Sequence, residues 1–253
     1  MSGHSKWSTI KHKKAATDAR RGAEYTKLAR EIQISAREGG GDPESNFGLR
    51  LAMDRARSAN MPSSNIDRAV KRGTGEDKDA ASMEKIHYEG YAPSGVAVIL
   101  NCITDNRNRT VADIRHVLSK HGGGMGQEGS VSWQFTRKSY FNIPCGDLSF
   151  DDLFEIAADS GADDVIEEDN YFEIIGPVEV FKTIFDKLKA ESIVPESSGL
   201  RMDPNQEVEL DLESTVQVMK VIDILEELDD IQEVYSNLKI SDEALEELAL
   251  LND

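Results

Sequence analysis

Cysteine is scarce in this chain, and its scarcity limits the kinds of site that the protein can hold. Only Cys102 and Cys145 are present among 253 residues. Two cysteines cannot by themselves complete a four-ligand zinc site. Both fall in segments predicted to be strands or strand ends, so we interpret them as buried free thiols and predict no metal site.

Long apolar stretches are also missing. No apolar run approaches the ~18 residues that a membrane-spanning helix needs. Residues 1–21 are charged and lack the apolar stretch of a signal peptide, so we expect a cytoplasmic protein without membrane contact. The hydrophobic content of 39% still permits real cores. At ~100–200 residues per domain, the length favours two or three domains.

Catalytic motifs are absent as well. His87, His116 and His121 do not have the spacing of a zincin, and no nucleophile elbow is present. The carboxylates at 163–169 could bind a divalent cation, but acidic surface runs are usually solvated. The glycines at 122–126 lack the Lys-Ser/Thr of a phosphate loop and are interpreted as a flexible turn. We therefore predict no enzymatic activity, no cofactor and no small-molecule substrate.

Basic residues are a minority, and their surplus lies at one end of the chain. The formal net charge is −18. Residues 1–72 contain 15 Lys+Arg and 8 Asp+Glu, a net of +7, whereas the remaining residues contain 14 and 39, a net of −25. This asymmetry indicates a nucleic-acid-facing arm on an acidic body. Because the body repels phosphate, any contact with nucleic acid must be local or made within a larger complex.

The first residues have the chemistry that a nucleic-acid backbone requires. Lys and Arg side chains would neutralise phosphates, and a tryptophan would stack on an unpaired base. The predicted contacts are Lys6, Trp7, Lys11, His12, Lys13, Lys14, Arg20, Arg21 and Lys27. Two alternatives remain: a solvated tail whose lysines only aid solubility, and a protein-interaction scaffold whose acidic body docks on a basic partner.

Apolar spacing predicts three helices after this arm. The first covers residues 18–38 and ends at three glycines, and the second carries an apolar stripe at 49, 52, 53 and 56. Pro62 interrupts the pattern, and a short third helix follows with Gly73 as its left-handed cap. These helices predict a small basic bundle. A helix-turn-helix reader is an alternative, although no helix shows an evident base-reading face.

The remaining sequence predicts two α+β units. Residues 86–91 and 96–103 are predicted strands joined by a turn, followed by a helix with apolar positions 111, 114 and 118 and a strand at 131–135. A complete βαββαβ unit comes next, which is the ferredoxin-like order. It consists of strand 140–143, helix 150–159, a hairpin through 168–170, helix 178–189 and extended sequence from 193.

One helix near 218–225 and one strand at 231–235 are then left over. A lone helix and strand cannot bury a core, so we expect them to complete the interrupted first sheet. The predicted fold class is α+β with three domains, a three-helix domain and two ferredoxin-like α/β sandwiches, one inserted in the other. The predicted boundaries are 1–78, 79–137 plus 207–240, and 138–206, with a helical tail at 241–253.

A second candidate for nucleic-acid contact lies directly before the helix with positions 111, 114 and 118. Arg107, Asn108 and Arg109 combine guanidinium and amide groups with a helix N-terminus, which suits anion or RNA-backbone recognition. The alternative is a helix-entry turn, in which Asp105 or Asn108 caps the helix and the arginines pair with the acidic body.

Several ordered motifs resemble the YebC family over nearly the whole chain. They are Gly3-His4-Ser5-Lys6-Trp7, Lys11-His12-Lys13-Lys14-Ala15, Gly39-Gly40-Gly41-Asp42-Pro43, Tyr88-Glu89-Gly90-Tyr91, Thr104-Asp105-Asn106-Arg107-Asn108-Arg109-Thr110 and Gln232-Glu233-Val234-Tyr235. The resemblance implies a helical N-terminal domain followed by two α+β domains.

The resemblance also implies a cytoplasmic regulator associated with nucleic acid. Members are commonly described as probable DNA-binding transcriptional regulators. The mitochondrial relative is a translational activator of cytochrome c oxidase, and bacterial relatives are linked to ribosomes stalled on proline-rich sequence. The expected partner is therefore DNA, or ribosomal RNA and the ribosome, and the resemblance does not choose between them.

Overall fold

The computed structural model describes residues 18–77, 81–146, 148–168 and 170–251. The helices in these ranges are α1 (Asp18–Gly39), α2 (Phe47–Ser58), α3 (Ser63–Gly73), α4 (Arg107–Lys120), α5 (Phe150–Asp159), α6 (Phe181–Ala190), α7 (Leu212–Glu226) and α8 (Asp242–Leu251). The strands are β1 (Glu84–Tyr91), β2 (Ala97–Thr104), β3 (Gly124–Met125), β4 (Phe135–Pro144), β5 (Asp164–Glu167), β6 (Tyr171–Pro177), β7 (Ser197–Pro204) and β8 (Ile231–Ser236).

The first three helices pack around a small apolar core, as predicted. Ile32 from α1, Leu49 and Ala56 from α2 and Ile66 from α3 are buried in it. Asn46 caps α2, because its side-chain oxygen accepts from the backbone N–H of Leu49 at 3.0 Å. The amide nitrogen of the same side chain donates to two carbonyl oxygens near the end of α1, so one residue fixes the turn between the helices.

The prediction that Gly73 caps α3 is wrong. Thr74 closes the helix, and the positive φ of 80° occurs at Gly75. Gly73 lies where α3 crosses α1. A Cβ there would lie 2.3 Å from the carbonyl oxygen of Gln33 and 2.7 Å from the Cβ of Ala36. The glycine is therefore required by the close approach of two helices rather than by a turn.

The first sheet is antiparallel, with strand order β3-β1-β2-β8. Helices α4, α7 and α8 cover one face, where Ile114, Met219 and Leu245 share a core with Leu100. The prediction that the last helix and strand return to this sheet is confirmed. Cys102 is buried in the same core, and its burial raises the pKa of the thiol to about 12. Cys145, the other free thiol, is half-buried.

The predicted strand at 131–135 is wrong. Residues Ser132–Gln134 form a 3₁₀ turn, and β4 begins only at Phe135. The cause is a long-range polar contact, since the carboxylate of Glu89 accepts from the backbone N–H groups of Val131 and Ser132. These hydrogen bonds curl the segment away from an extended path.

The second sheet has strand order β5-β6-β4-β7 and is also antiparallel. Its elements follow the predicted βαββαβ order, with α5 and α6 packed on a core around Phe141 and Ile174. Ser149 caps α5 by accepting from the N–H of Asp152 at 3.4 Å. In the first sheet the order is ββαβαβ, and the two central strands form a direct hairpin.

The helices and both sheets meet at a shared junction. Arg55 on α2 donates to Glu31 on α1 and to the carbonyl oxygen of Ser198 on β7, both at 2.8 Å. The hydroxyl of Tyr235 on β8 donates to the carbonyl oxygen of Leu200 on β7 at 3.3 Å. We propose that the predicted domain boundaries separate the two sheets, so that each sheet belongs to one domain.

No helix among the described residues is long and apolar enough to cross a membrane.

Two helical glycines provide a matched test of the α1–α3 crossing. Gly73→Ala should destabilise the protein by about 1–3 kcal/mol, because the new methyl group overlaps atoms of α1. Gly22→Ala should instead be neutral or stabilise by up to ~1 kcal/mol, because nothing lies within 4 Å of the new Cβ and alanine favours the helix. Urea unfolding measures both; equal effects of the two substitutions would contradict the packing role.

Candidate nucleic-acid interface

Most of the predicted arm contacts fall outside the described residues. They are Lys6, Trp7, Lys11, His12, Lys13 and Lys14. Arg20 lies in α1, but its side chain is likewise outside the description. Arg21 is an exposed residue in the first turn of the same helix. The arm remains a prediction, and the structure fixes only the helix from which it extends.

The cations further along α1 are turned towards the acidic body. The ammonium of Lys27 donates to the carbonyl oxygen of Glu226 at 2.5 Å, at the C-terminal end of α7. Three residues later, Arg30 donates to the carbonyl oxygen of Asp229 and forms an ion pair of 2.9 Å with Asp230. Cations at a helix C-terminus are favoured by the helix dipole. A phosphate contact by Lys27 would therefore compete with a contact that joins α1 to the body.

Asp230 is the centre of this contact. Its side chain is 7% exposed and accepts from the hydroxyl groups of Thr110 at 2.7 Å and Thr104 at 3.1 Å, and from Arg109 at 2.9 Å. Burial would raise the pKa of Asp230, but the hydroxyl of Thr110 and the guanidinium groups of Arg109 and Arg30 outweigh it. The net shift of the pKa is downwards, so the carboxylate is firmly ionised.

The motif at 106–109 begins α4 and contacts the body through its arginines. Asn106 is the N-cap and accepts from the N–H of Arg109 at 3.2 Å, which corrects the expectation that Asp105 or Asn108 caps this helix. Arg107 donates two hydrogen bonds of 2.5 Å to Glu84, and these lower the pKa of that carboxyl. Asn108 is exposed.

The three predicted contacts at the start of α4 therefore differ in how free they are to bind nucleic acid. Arg109 is held by Asp105 and Asp230, and Arg107 by Glu84. A cleft of about 360 Å³ opens beside them, and its lining mixes two arginines with four aspartates. A mixed lining of this kind does not favour an anion strongly. Within the described ranges, no group of three or more His, Cys, Asp or Glu side chains is arranged to hold a metal ion.

The outer face of α3 carries basic side chains that sequence reasoning missed. Arg68 and Lys71 are exposed and form no ion pair with any described residue. Arg72 beside them pairs with Asp77 at 3.3 Å. The helix buries Ile66 and Ala69 on the opposite side. The signal was available in the sequence, because positions 68, 71 and 72 fall off the apolar stripe at helical spacing.

Fold and charge together define the class to which the molecule belongs. It is an α+β protein in which a net-basic region of three helices leads into a strongly acidic body built on two antiparallel sheets. Residues 5–76 match the family model described as the TACO1/YebC protein N-terminal domain. Residues 83–238 match the model described as the TACO1/YebC second and third domain. The chain belongs to the TACO1/YebC family.

Relatives support the same assignment over the full length. A probable transcriptional regulatory protein of Chlorobium chlorochromatii is 48% identical over 250 residues, which cover 98% of this chain and all of the relative. One of Rubrobacter xylanophilus, with the same description, is 48% identical over 249 residues, again 98% of this chain and all of the relative. The crystal structure of a conserved hypothetical protein from Aquifex aeolicus superposes with a TM-score of 0.81 at 41% identity, covering 89% of this chain and 93% of that one.

Asp230→Asn tests the contact between α1 and the body. The substitution should lower the free energy of unfolding at neutral pH by about 1.5–3 kcal/mol, because charge-assisted hydrogen bonds from two arginines are lost. The neighbouring Asp229→Asn is the matched control, because this substitution removes the same charge from an exposed side chain. An equal loss in both variants would contradict the role of Asp230.

The pH dependence of the same pair gives an independent check. Because the folded pKa of Asp230 lies below the ordinary ~3.9, the stability it contributes is complete above that value and is lost as the pH falls through the folded pKa. The difference in unfolding free energy between wild type and Asp230→Asn should therefore be constant at neutral pH and shrink below about pH 4. A difference that persists unchanged in acid would contradict this assignment.

Proposed function

We propose that this protein is a non-enzymatic regulator of gene expression that binds nucleic acid through residues 1–72. The proposal also places it in the cytoplasm without a cofactor. One observation carries it: the region has a net charge of +7 and the rest of the chain −25. Phosphate is attracted to the first and repelled by the second, so binding at one end also orients the molecule on its target.

The contacts of the described cations support this division. Those on the inner side of the helical region, Lys27, Arg30 and Arg55, are bound to carbonyl or carboxylate oxygens of the protein. Those on the outer side of α3, Arg68 and Lys71, remain open to solvent. The outer cations add to the positive charge of the same region of the chain, which also contains the basic sequence at residues 6–14. Phosphate contacts of this kind position a protein on nucleic acid without reading its sequence.

Duplex DNA is the first candidate target, in regulation of transcription. The names of the relatives from Chlorobium chlorochromatii and Rubrobacter xylanophilus support it. The second candidate is ribosomal RNA, in a translation factor bound to the ribosome. One observation favours the second: the acidic body exposes Trp133 and Tyr91, and exposed aromatic rings suit unpaired bases rather than stacked base pairs.

Deletion of residues 1–14 tests the proposal directly. The truncated protein should lose measurable binding to both duplex DNA and structured RNA, because four lysines and a stacking ring are removed with the arm, while its unfolding midpoint stays unchanged. Fluorescence anisotropy of labelled oligonucleotides measures the affinity, and circular dichroism checks the fold. Unchanged affinity would contradict the assignment of the arm.

The outer face of α3 gives a finer test by salt dependence. Replacement of both Arg68 and Lys71 with Gln should reduce the slope of log affinity against log salt by about 1.8 on duplex DNA and about 1.4 on single strands. Lys182→Gln combined with Lys239→Gln removes the same charge from exposed sites on the acidic body. The control should leave the slope unchanged. Equal changes in both double variants would indicate an effect of net charge alone.

A further inference from the structure

The outward face of α4 carries cations in a part of the chain that is otherwise acidic. The helix buries Ile114, Val117 and Leu118 against the core of the first sheet, so its opposite side faces the solvent. Four Lys+Arg and one Asp are present in the helix. It is therefore a basic helix within a part of the chain whose net charge is −25.

The exposed side chains of α4 surround one open depression of about 580 Å³. It is lined by Ala112, Arg115, His116, Ser119 and Lys120. At about 100° per residue, Ala112 and Ser119 fall on one line along the helix, with Arg115 on one side of that line and His116 and Lys120 on the other. Two small residues thus form the floor, and three larger side chains, two of them cationic, form the walls. None of the five residues carries a carboxylate.

The cations of this depression have no counter-charge within the protein. Arg115, His116 and Lys120 are exposed, and none of them forms an ion pair with a described residue. Ion pairs on a helix join residues three or four positions apart. The positions at that distance from Arg115 hold Val, Ala, Leu and Ser, and those from Lys120 hold Val, His and two Gly. The helix dipole favours Lys120 in the last turn, but it gives no reason for Arg115 in the middle.

The cleft at the start of the same helix is different. There the guanidinium of Arg109 is bound by Asp105 and Asp230, and Asp113 contributes a further carboxylate to the lining. A phosphate would have to compete with these carboxylates in the cleft. In the depression it would meet only two cations, an imidazole and a hydroxyl group. The cations at the start of α4 therefore serve the fold, whereas those further along remain open to a ligand.

The depression lies near the point at which the helical region meets the body. Arg30 of α1 and Arg109 of α4 both bind Asp230. At a rise of 1.5 Å per residue, Arg115 lies about 9 Å further along α4 and Lys120 about 17 Å further. Each strand of a duplex advances ~3.4 Å per nucleotide, so these distances correspond to about three to five nucleotides. A nucleic acid that contacts α1 is therefore long enough to reach the depression.

We propose that the depression on α4 is a second contact for the phosphate backbone of the nucleic acid that residues 1–72 bind. Arg115 and Lys120 each neutralise one phosphate, and the Ser119 hydroxyl and an N–H of His116 donate to phosphate oxygens. The methyl group of Ala112 leaves room for the backbone to approach the helix. The inference rests on the proposed nucleic-acid binding and adds a contact surface within the acidic body.

Charge complementarity selects this occupant. An apolar partner would leave two cations without counter-charges, which is costly when they are removed from water. An acidic protein segment would supply negative charge, but it would not use the net charge of +7 that residues 1–72 carry at the other end of the same helix contact. A phosphate backbone satisfies both basic surfaces with one molecule.

The salt dependence of binding tests the two cations. In the full chain, Arg115→Gln combined with Lys120→Gln should reduce the slope of log affinity against log salt by about 1.8 on duplex DNA and about 1.4 on single-stranded RNA. Arg137→Gln combined with Lys189→Gln is the matched control. It removes one exposed Arg and one exposed Lys, neither of them in an ion pair with a described residue, from the unit built on the second sheet. Equal changes in both double variants would overturn the inference.

The floor of the depression allows a test that leaves both cations in place. Ala112→Glu adds a carboxylate there, and Ala112→Gln adds a neutral side chain of nearly the same shape. The Glu variant should reduce the salt slope on duplex DNA by about 0.9 more than the Gln variant, because one carboxylate cancels about one cation. Circular dichroism checks that both variants fold. The same slope in both would contradict a phosphate at this site.

The outcomes separate this inference from the proposed function. If wild type binds nucleic acid but the α4 variants keep its slope, the second contact is overturned while the N-terminal interface stands; an acidic protein segment on α4 would give this result. If wild type binds neither duplex DNA nor single-stranded RNA, the proposed function fails and the inference fails with it. A reduced slope in the Arg115 and Lys120 double variant, with the control unchanged, supports the inference.

Discussion

The buried carboxylate of Asp230 is the contact on which the position of the helical region depends. It lies between α7 and β8, and it receives Arg30 from α1, Arg109 and Thr110 from α4, and Thr104 from β2. A buried charge is costly unless hydrogen bonds satisfy it, and each of these donors does so. Arg30 brings α1 into this set of donors, and together with Lys27 it holds α1 against the body.

The same contact has a consequence for function. An acidic body could neutralise any basic segment that touches it, and the inner cations of the helices are indeed bound to its oxygen atoms. Only cations that point outwards retain free charge for phosphate. The structural and the proposed binding roles of the basic residues are thus divided between two faces of one helical region.

Sequence periodicity predicted much of the fold, because local spacing determines which face of an element is buried. It located α1, the βαββαβ unit and the return of β8 to the first sheet. It failed where contacts between distant residues determine the backbone conformation. Gly73 packs against α1 instead of capping α3, and hydrogen bonds to Glu89 bend the segment that was predicted to be a strand. The partners of Arg109 show the same limit, since Asp230 lies 121 residues away in the chain. The exposure of Trp133 was not predicted, because hydrophobic periodicity does not show which side chains of a turn are exposed.

The most direct test of the account is hydrogen exchange of the full chain, measured by mass spectrometry with and without saturating nucleic acid. Duplex DNA and a single-stranded RNA should both slow exchange in residues 1–72, including the exposed face of α3, because these residues carry the net positive charge. Most of the acidic body should exchange at the same rate as before. Slowed exchange confined to the acidic body, with residues 1–72 unaffected at saturation, would contradict the central claim that the basic helical region is the interface.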